Sequence, residues 1–339
     1  MPRMPRGLFI PVLVVLVVCA VFVAPAPAAA QGRLDMDDYL ALLAETREGL
    51  FITSGRALAG YESQSVERVA HDFLAGSPTD EDLKRAALLH TEAAGHAVGE
   101  LHLRLGSDLL QALADPAVRT EWLRRWWLAV GYSFQLQLAT SSGVAAFEAA
   151  LDDLPGDRDI RVAFVSALWM FGRQREEPAY LERAYQLLTE LLEETPDDAP
   201  LLIQRAGVLL DYGLLDDARE QVEALEGARI GALPRLALLM IDGEAALSEG
   251  DFVAAEAAFA QAVRRARRSP AANAGLVAAR LSLGDVEGAA EAAAAALSRR
   301  VSGWEPEWRY WLGPALEYQE MFQAMKDEVR ASGPGGDSR

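Results

Sequence analysis

Trp127-x2-Val130-Gly131-x2-Phe134, followed by Gly143-x3-Phe147 and then Pro155, is the first instance of a pattern that recurs along the chain. With the small residue Gly143 as a marker, equivalent residues follow at Ala184, Ala218, Ala255 and Ala289, at intervals of 41, 34, 37 and 34. In three repeats a glycine stands five residues before the marker: Gly213, Gly250 and Gly284. Gly250-Asp251 and Gly284-Asp285 suit a turn in which a left-handed glycine ends one helix and the chain starts the next. Pro155 and Pro196 stand twelve residues after their markers, where proline can start a helix but not continue one. The longest interval has its extra residues in the polar stretch Gly172–Ala179, which is expected to be a surface turn.

Between these punctuation marks the apolar residues keep helical spacing. Leu236, Leu239, Met240, Gly243 and Ala246 form one stripe, and Ala255, Ala258, Phe259 and Ala262 another. A single helix pair cannot bury such a stripe, whereas stacked pairs can, with alanine and glycine allowing close backbone approach while Trp127, Phe147 and Phe259 fill the gaps. The motif resembles the tetratricopeptide (TPR) pattern W-x2-L-G-x2-Y…A-x3-F…P, with Val130, Phe134 and Gly143 as replacements. The resemblance implies an all-α fold, a TPR-like α-α superhelix of antiparallel helix hairpins. About five repeats are expected over 124–303.

The flanks are helical but irregular. Leu34–Phe51, Ser65–Leu74 and Asp80–Leu105 each read as one helix, the last opened by Thr79-x-x-Asp82, a capping box with its acid one methylene short. Residues 31–123 are therefore expected to form an irregular helical cap. Trp304, Trp308 and Trp311 recur at i, i+4, i+7, and Met321, Met325 and Val329 at every fourth residue, so 304–330 is expected to hold a Trp-rich capping helix. The Gly/Pro/Ser-rich tail 331–339 is expected to be disordered.

Residues 1–30 hold Arg3 and Arg6, the apolar run Leu8–Val23 and the small-residue ending Ala28-Ala29-Ala30. This is the layout of a secretory signal peptide cleaved after Ala30, with a retained anchor as the alternative. The apolar run is short for a span, and Pro11 favours removal. The only cysteine, Cys19, lies inside this leader after Val18, where a lipidation site wants a small residue. The mature chain then has no thiol for catalysis, metal binding or disulfides, and its localisation is expected to be periplasmic or secreted. Without the leader the formal charge moves from −18 to −20, which opposes nucleic acid and anionic membrane surfaces. No stable membrane insertion is expected after cleavage.

Chemical clustering is confined to the four histidines between His71 and His102. On the expected Asp80–Leu105 helix, Glu92, His96 and Glu100 share a face at i, i+4, i+8 and are a weak metal candidate, while His90 and His102 fall on other faces. Gly-x-Ser-x-Gly and glycine-rich phosphate loops are missing, so no catalytic residue and no cofactor is assigned. The run Arg264-Arg265-Ala266-Arg267-Arg268 ends a helix, where cations complement its dipole, and is expected to pair with acidic faces of neighbouring repeats.

The TPR resemblance implies a concave groove lined by the first helix of each pair. Candidate outward positions are Arg125, Leu128, Tyr132, Gln135, Asp159, Val162, Ser166, Trp169, Ile203, Asp211, Met240 and Glu244. Some TPR modules grip a C-terminal carboxylate with groove lysines, but no lysine occurs between Lys84 and Lys326. The expected partner is instead an extended or helical protein or peptide segment that is apolar and basic. The expected function is an exported, non-enzymatic scaffold in the cell envelope. The alternative is a periplasmic protein that binds a metal or small ligand through its His-rich region. N-terminal sequencing of the protein recovered from its native compartment is expected to begin at Gln31, and a start at Met1 would identify a retained anchor.

Overall fold

A computed structural model describes residues 32–95, 99–136, 139–225, 227–267, 269–297 and 318–331. The expected leader, His96, the three tryptophans 304, 308 and 311, and the tail beyond Ala331 lie outside the described residues. Among the described residues the regular structure is entirely α-helical, in sixteen helices. No helix there is long and apolar enough to cross a membrane. The helices group into two compact units, one from Met1–Ala114 with Glu328–Arg339 and the other from Asp115–Asp327.

The first unit contains α1 (Met36–Arg47), α2 (Phe51–Leu58), α3 (Ser63–Ala75), α4 (Asp80–Ala94) and α5 (Glu100–Gln111). Two stretches expected as single helices are broken here. Gly49, at φ +91°, ends the first and lets α2 turn back on α1. The second divides into α4 and α5, which pack on each other. Apolar residues on several sides of α4, including Leu83, Ala87, Leu88 and Leu89, are fully buried because α1, α2 and α5 all pack against it. The Thr79 cap forms as expected: its hydroxyl oxygen accepts from the Asp82 amide at 3.2 Å. The shorter acid changes the other half, since the Asp82 carboxylate accepts from the Thr79 hydroxyl at 2.7 Å. Buried Arg85 donates to Glu81 at 3.1 Å and to the Val329 carbonyl at 3.1 Å, which ties the last turn of the final helix, α16 (Tyr318–Ala331), to this unit.

The second unit contains five successive hairpins. They are α6 (Pro116–Leu136) with α7 (Thr140–Asp153), α8 (Arg158–Arg175) with α9 (Pro178–Glu194), α10 (Ala199–Tyr212) with α11 (Leu215–Ala224), α12 (Ala232–Glu249) with α13 (Phe252–Arg265), and α14 (Pro270–Ser282) with α15 (Val286–Leu297). Every marker residue lies on the second helix of its hairpin and is buried: Gly143, Ala184, Ala218, Ala255 and Ala289. Gly250 and Gly284 adopt φ +83° and +80° and end their helices, after which Asp251 and Asp285 accept from the amides of Ala254 and Gly288.

Three local expectations are corrected. Pro155 and Pro196 do not lie in first turns; each stands two residues before an aspartate cap, Asp157 for α8 and Asp198 for α10, whose carboxylates accept the first free amides. The stretch Gly172–Ala179 is mostly helix. Gly172 serves close approach rather than termination, because a Cβ there would lie 2.9 Å from a Leu181 methyl of α9, and the bend waits until Glu176 at φ +55°. Arg264 and Arg265 end α13 exposed, and neither makes an ion pair among the described residues.

Aromatic rings set the separation of the helices. A Cβ at Gly131 of α6 would lie 2.3 Å from the Phe147 ring of α7. One Phe259 ring fills two such gaps, at Gly243 of its own hairpin and Gly275 of the next. Trp127 is buried and its indole N–H donates to Asp153 at 2.8 Å, joining α6 to α7. Thermal unfolding should therefore detect a loss of about 1–3 kcal/mol for Gly131→Ala, from overpacking. Trp127→Ala should lose about 3–5 kcal/mol, from the cavity it leaves.

Candidate functional site

Within the second unit the hairpins stack asymmetrically. First helices pack on first helices, α6 on α8, α8 on α10, α10 on α12 and α12 on α14, whereas second helices of neighbouring hairpins show no comparable packing among the described residues. The first helices are the closely spaced row, and closer spacing on one side places their surface on the inner face of any bend in the array.

The structure divides the sequence-predicted groove residues. Leu128, Tyr132, Gln135, Ser166, Trp169, Ile203 and Met240 are buried, so their expected outward placement does not hold. They occupy the seams between helices. Trp169 fills the space above Gly207 of α10, where a Cβ would lie 2.6 Å from the indole. Tyr132 meets the Phe147 ring edge-on at 6.0 Å, and Met240 joins the core cluster around Phe259 and Leu276. Gln135 reaches the Ala163 carbonyl of α8 at 3.5 Å, and the Ser166 hydroxyl accepts from the Gln204 amide of α10 at 3.2 Å. Arg125, Val162, Asp211 and Glu244 are half-buried and Asp159 is exposed.

A polar chain crosses three hairpins where these seams reach the surface. The Trp169 indole N–H donates to Asp211 at 2.6 Å. Arg173, one turn on along α8, lies 3.7 Å from Asp211 of α10 and 3.6 Å from Glu244 of α12. The Arg173 side chain is 42% exposed, so each ion pair contributes only about 0–1 kcal/mol. Asp211 first, and Glu244 less, raise the Arg173 pKa further above its ordinary value. Asp242, also on α12, pairs with Arg219 at 3.5 Å. Asp211 and Glu244 are thus each held by a cation of another first helix and stay partly exposed. The side-chain oxygens of Gln135 and Gln204 are buried without a hydrogen-bond partner among the described residues. Sequence reading missed Arg173 and Gln204. Both follow a candidate by one turn or less, Arg173 four residues after Trp169 and Gln204 one after Ile203, and that proximity was the available signal.

The histidines are rearranged by the break between α4 and α5. Glu92 lies on α4 and Glu100 on α5, so the single helical face expected for Glu92, His96 and Glu100 does not exist, and His96 is outside the described residues. The same break brings together two histidines that one continuous helix would have kept apart. His90 and His102 are buried with their Nδ1 atoms 3.0 Å apart, and the Tyr39 hydroxyl lies 3.2 Å from His90 Nε2. Burial raises the Tyr39 pKa, so the hydroxyl keeps its proton; between the imidazoles one Nδ1 donates and the other accepts, and the tautomer of His90 sets whether its Nε2 accepts from the Tyr39 hydroxyl or donates to it. Burial favours the neutral form of both rings, and two imidazolium N–H groups could not face each other across this contact. No group of three residues of metal-ligating type is assembled among the described residues.

Burial lowers the His102 pKa to about 4, and burial together with His102 lowers that of His90 well below its ordinary value. The unfolded chain takes up protons near pH 6.5 while the folded chain does not, so the stability these groups contribute is complete above pH 6.5 and falls as the pH drops towards 4. Between pH 7 and pH 5 the loss should be about 2 kcal/mol for His102, and His90 adds to it in the same direction. Melting temperatures across this range should fall more steeply for wild type than for the His90→Phe/His102→Leu variant. Equal slopes would show that the pair does not govern acid stability.

No family model matches the sequence, and no curated protein matches it. Among solved structures, a tetratricopeptide repeat protein from Parabacteroides merdae is similar at 15% identity and a TM-score of 0.45, over 74% of this chain and 94% of that one. Yeast Tom70 is similar at 13% identity and a TM-score of 0.37, over 91% of this chain and 68% of its own.

Proposed function

We propose that this chain is a non-enzymatic, TPR-like scaffold, exported to the cell envelope, which holds a segment of another protein against the inner face of its second unit. The observation that carries this reading is the chain Trp169–Asp211–Arg173–Glu244, which crosses three hairpins and leaves two partly exposed carboxylates, Asp211 at 17% and Glu244 at 30%, on adjacent hairpins. An extended or helical segment with apolar and basic side chains is the complementary ligand. Its cations would compete with Arg173 for Asp211 and Glu244, and its apolar groups would lie on the ends of the aromatic seams. The secretory layout of residues 1–30 supports export, and the acidic balance of the chain supports a cationic rather than an anionic partner.

The buried aromatic residues are poor probes of this face, because removing them opens cavities. Asp211→Asn and Glu244→Gln change charge without changing shape. Immobilised 31–339 protein carrying both changes is expected to retain its envelope partner about three- to tenfold less strongly than wild type, the scale of losing one or two half-exposed ion pairs. Equal capture by both proteins, at equal melting temperature, would rule out the inner face.

A further inference from the structure

An open groove of about 500 Å³ lies between α1, the end of α3 and the start of α4. Met36, Leu40 and Leu43 line one wall at i, i+4 and i+7, where half-buried Met36 and exposed Leu40 extend the surface of the core that buries Tyr39, Leu42 and Leu43. Phe73 and Pro78 line the other. Leu40 is 44% exposed, a large apolar side chain left in solvent inside a concave site.

The groove is pinned at both ends. Tyr39 meets the Phe73 ring edge-on at 5.4 Å, which fixes one wall from behind. Arg47 of α1 lies 3.3 Å from Asp82 of α4 and ties the walls together at the other end. The turn within the second wall, Gly76-Ser77-Pro78, has Ser77 at φ +58°. A volume of this size falls within the range of sites that take a compact apolar group.

Charge identifies the occupant. Asp82 is already matched by Arg47, by Arg85 at 3.5 Å and by the Thr79 hydroxyl. Asp72 on the rim is exposed, and its carboxylate has no ion pair or hydrogen bond among the described residues. The surrounding unit is acidic as well, with 15 acids against 8 bases in 32–114 and 328–331. An acidic ligand would meet repulsion on this rim, and a purely apolar one would leave Asp72 unused. We propose that this groove receives a short amphipathic segment of another protein, with apolar side chains seated against Leu40 and Phe73 and a Lys or Arg paired with Asp72. The site is separate from the inner face of the second unit.

The test uses the full 31–339 chain and two fluorescein-labelled 12-residue peptides, one built of Leu and Lys and the other with Glu replacing each Lys. Anisotropy is expected to show the Leu–Lys peptide binding at least tenfold more tightly than the Leu–Glu peptide. Leu40→Glu separates seating from general attraction, because it adds a negative charge. It is expected to weaken the Leu–Lys peptide at least tenfold, and Ala44→Glu, at another exposed groove position, is expected to do the same if Leu40→Glu melts early. Asp72→Asn should weaken binding about threefold, and the same losses are expected in the Asp211→Asn/Glu244→Gln background, where an inner-face site for the same peptide no longer contributes, which keeps this test independent of the inner-face reading. Affinity that is unchanged or raised in both glutamate variants would reduce the effect to overall acidity and overturn the proposal. Tighter binding of dodecanoate than of the Leu–Lys peptide, or a wild-type dimer that Leu40→Glu dissociates, would assign the groove to a lipid or to a second copy and also overturn it.

Discussion

The helical array depends on aromatic rings placed where a Cβ would otherwise stand. Phe147 occupies that volume at Gly131, Trp169 at Gly207, and Phe259 at both Gly243 and Gly275. Each ring sets the distance between two helices, and Phe259 sets it both within a hairpin and to the next one. Interiors are packed too densely for a ring and a methyl to share such a site, so the pairing of a large residue on one helix with glycine on its neighbour defines the register of the stack. The small residues that open the second helices act in the same way on a smaller scale, since every one of them is buried.

This constraint also determines what the inner face displays. Rings that fill seams cannot line a groove, and Trp169 and Tyr132 belong to the core. Only their polar ends and the residues one turn away reach the surface, which is how Asp211 comes to be fixed by the Trp169 indole and approached by Arg173. The surface chemistry is therefore coupled to the packing beneath it. A shape-conserving change at the surface and a truncation in the seam test different things, and only the first isolates binding.

The first unit is organised by buried polar groups rather than by repetition. Arg85 is enclosed by carboxylates of its own helix and by the Val329 carbonyl, which holds the end of the chain to a helix far earlier in sequence. The chain from Tyr39 through His90 to His102 is buried, which disfavours charging either imidazole, so the same contact that closes α4 on α5 makes this unit sensitive to acid. Beside this core, α1 keeps an apolar stripe with no helix of its unit covering it at Leu40.

Periodicity made the helical class, the hairpin spacing and the glycine turns at Gly250 and Gly284 legible in the residues alone, because each depends on neighbours within a few turns. The Thr79 cap was legible for the same reason. What the order of residues did not contain was which of two apolar or mixed stripes on a helix meets another helix. Leu128, Trp169 and Met240 have the spacing of a surface row, and became interior only because successive first helices stack more closely than the second ones. Likewise the breaks at Gly49 and after Ala94, and with them the meeting of His90 and His102, depend on α1, α2 and α5 folding back on α4. Helix formation is decided locally by hydrogen bonding and side-chain period, whereas burial is decided by partners distant in sequence, and the partners select the face.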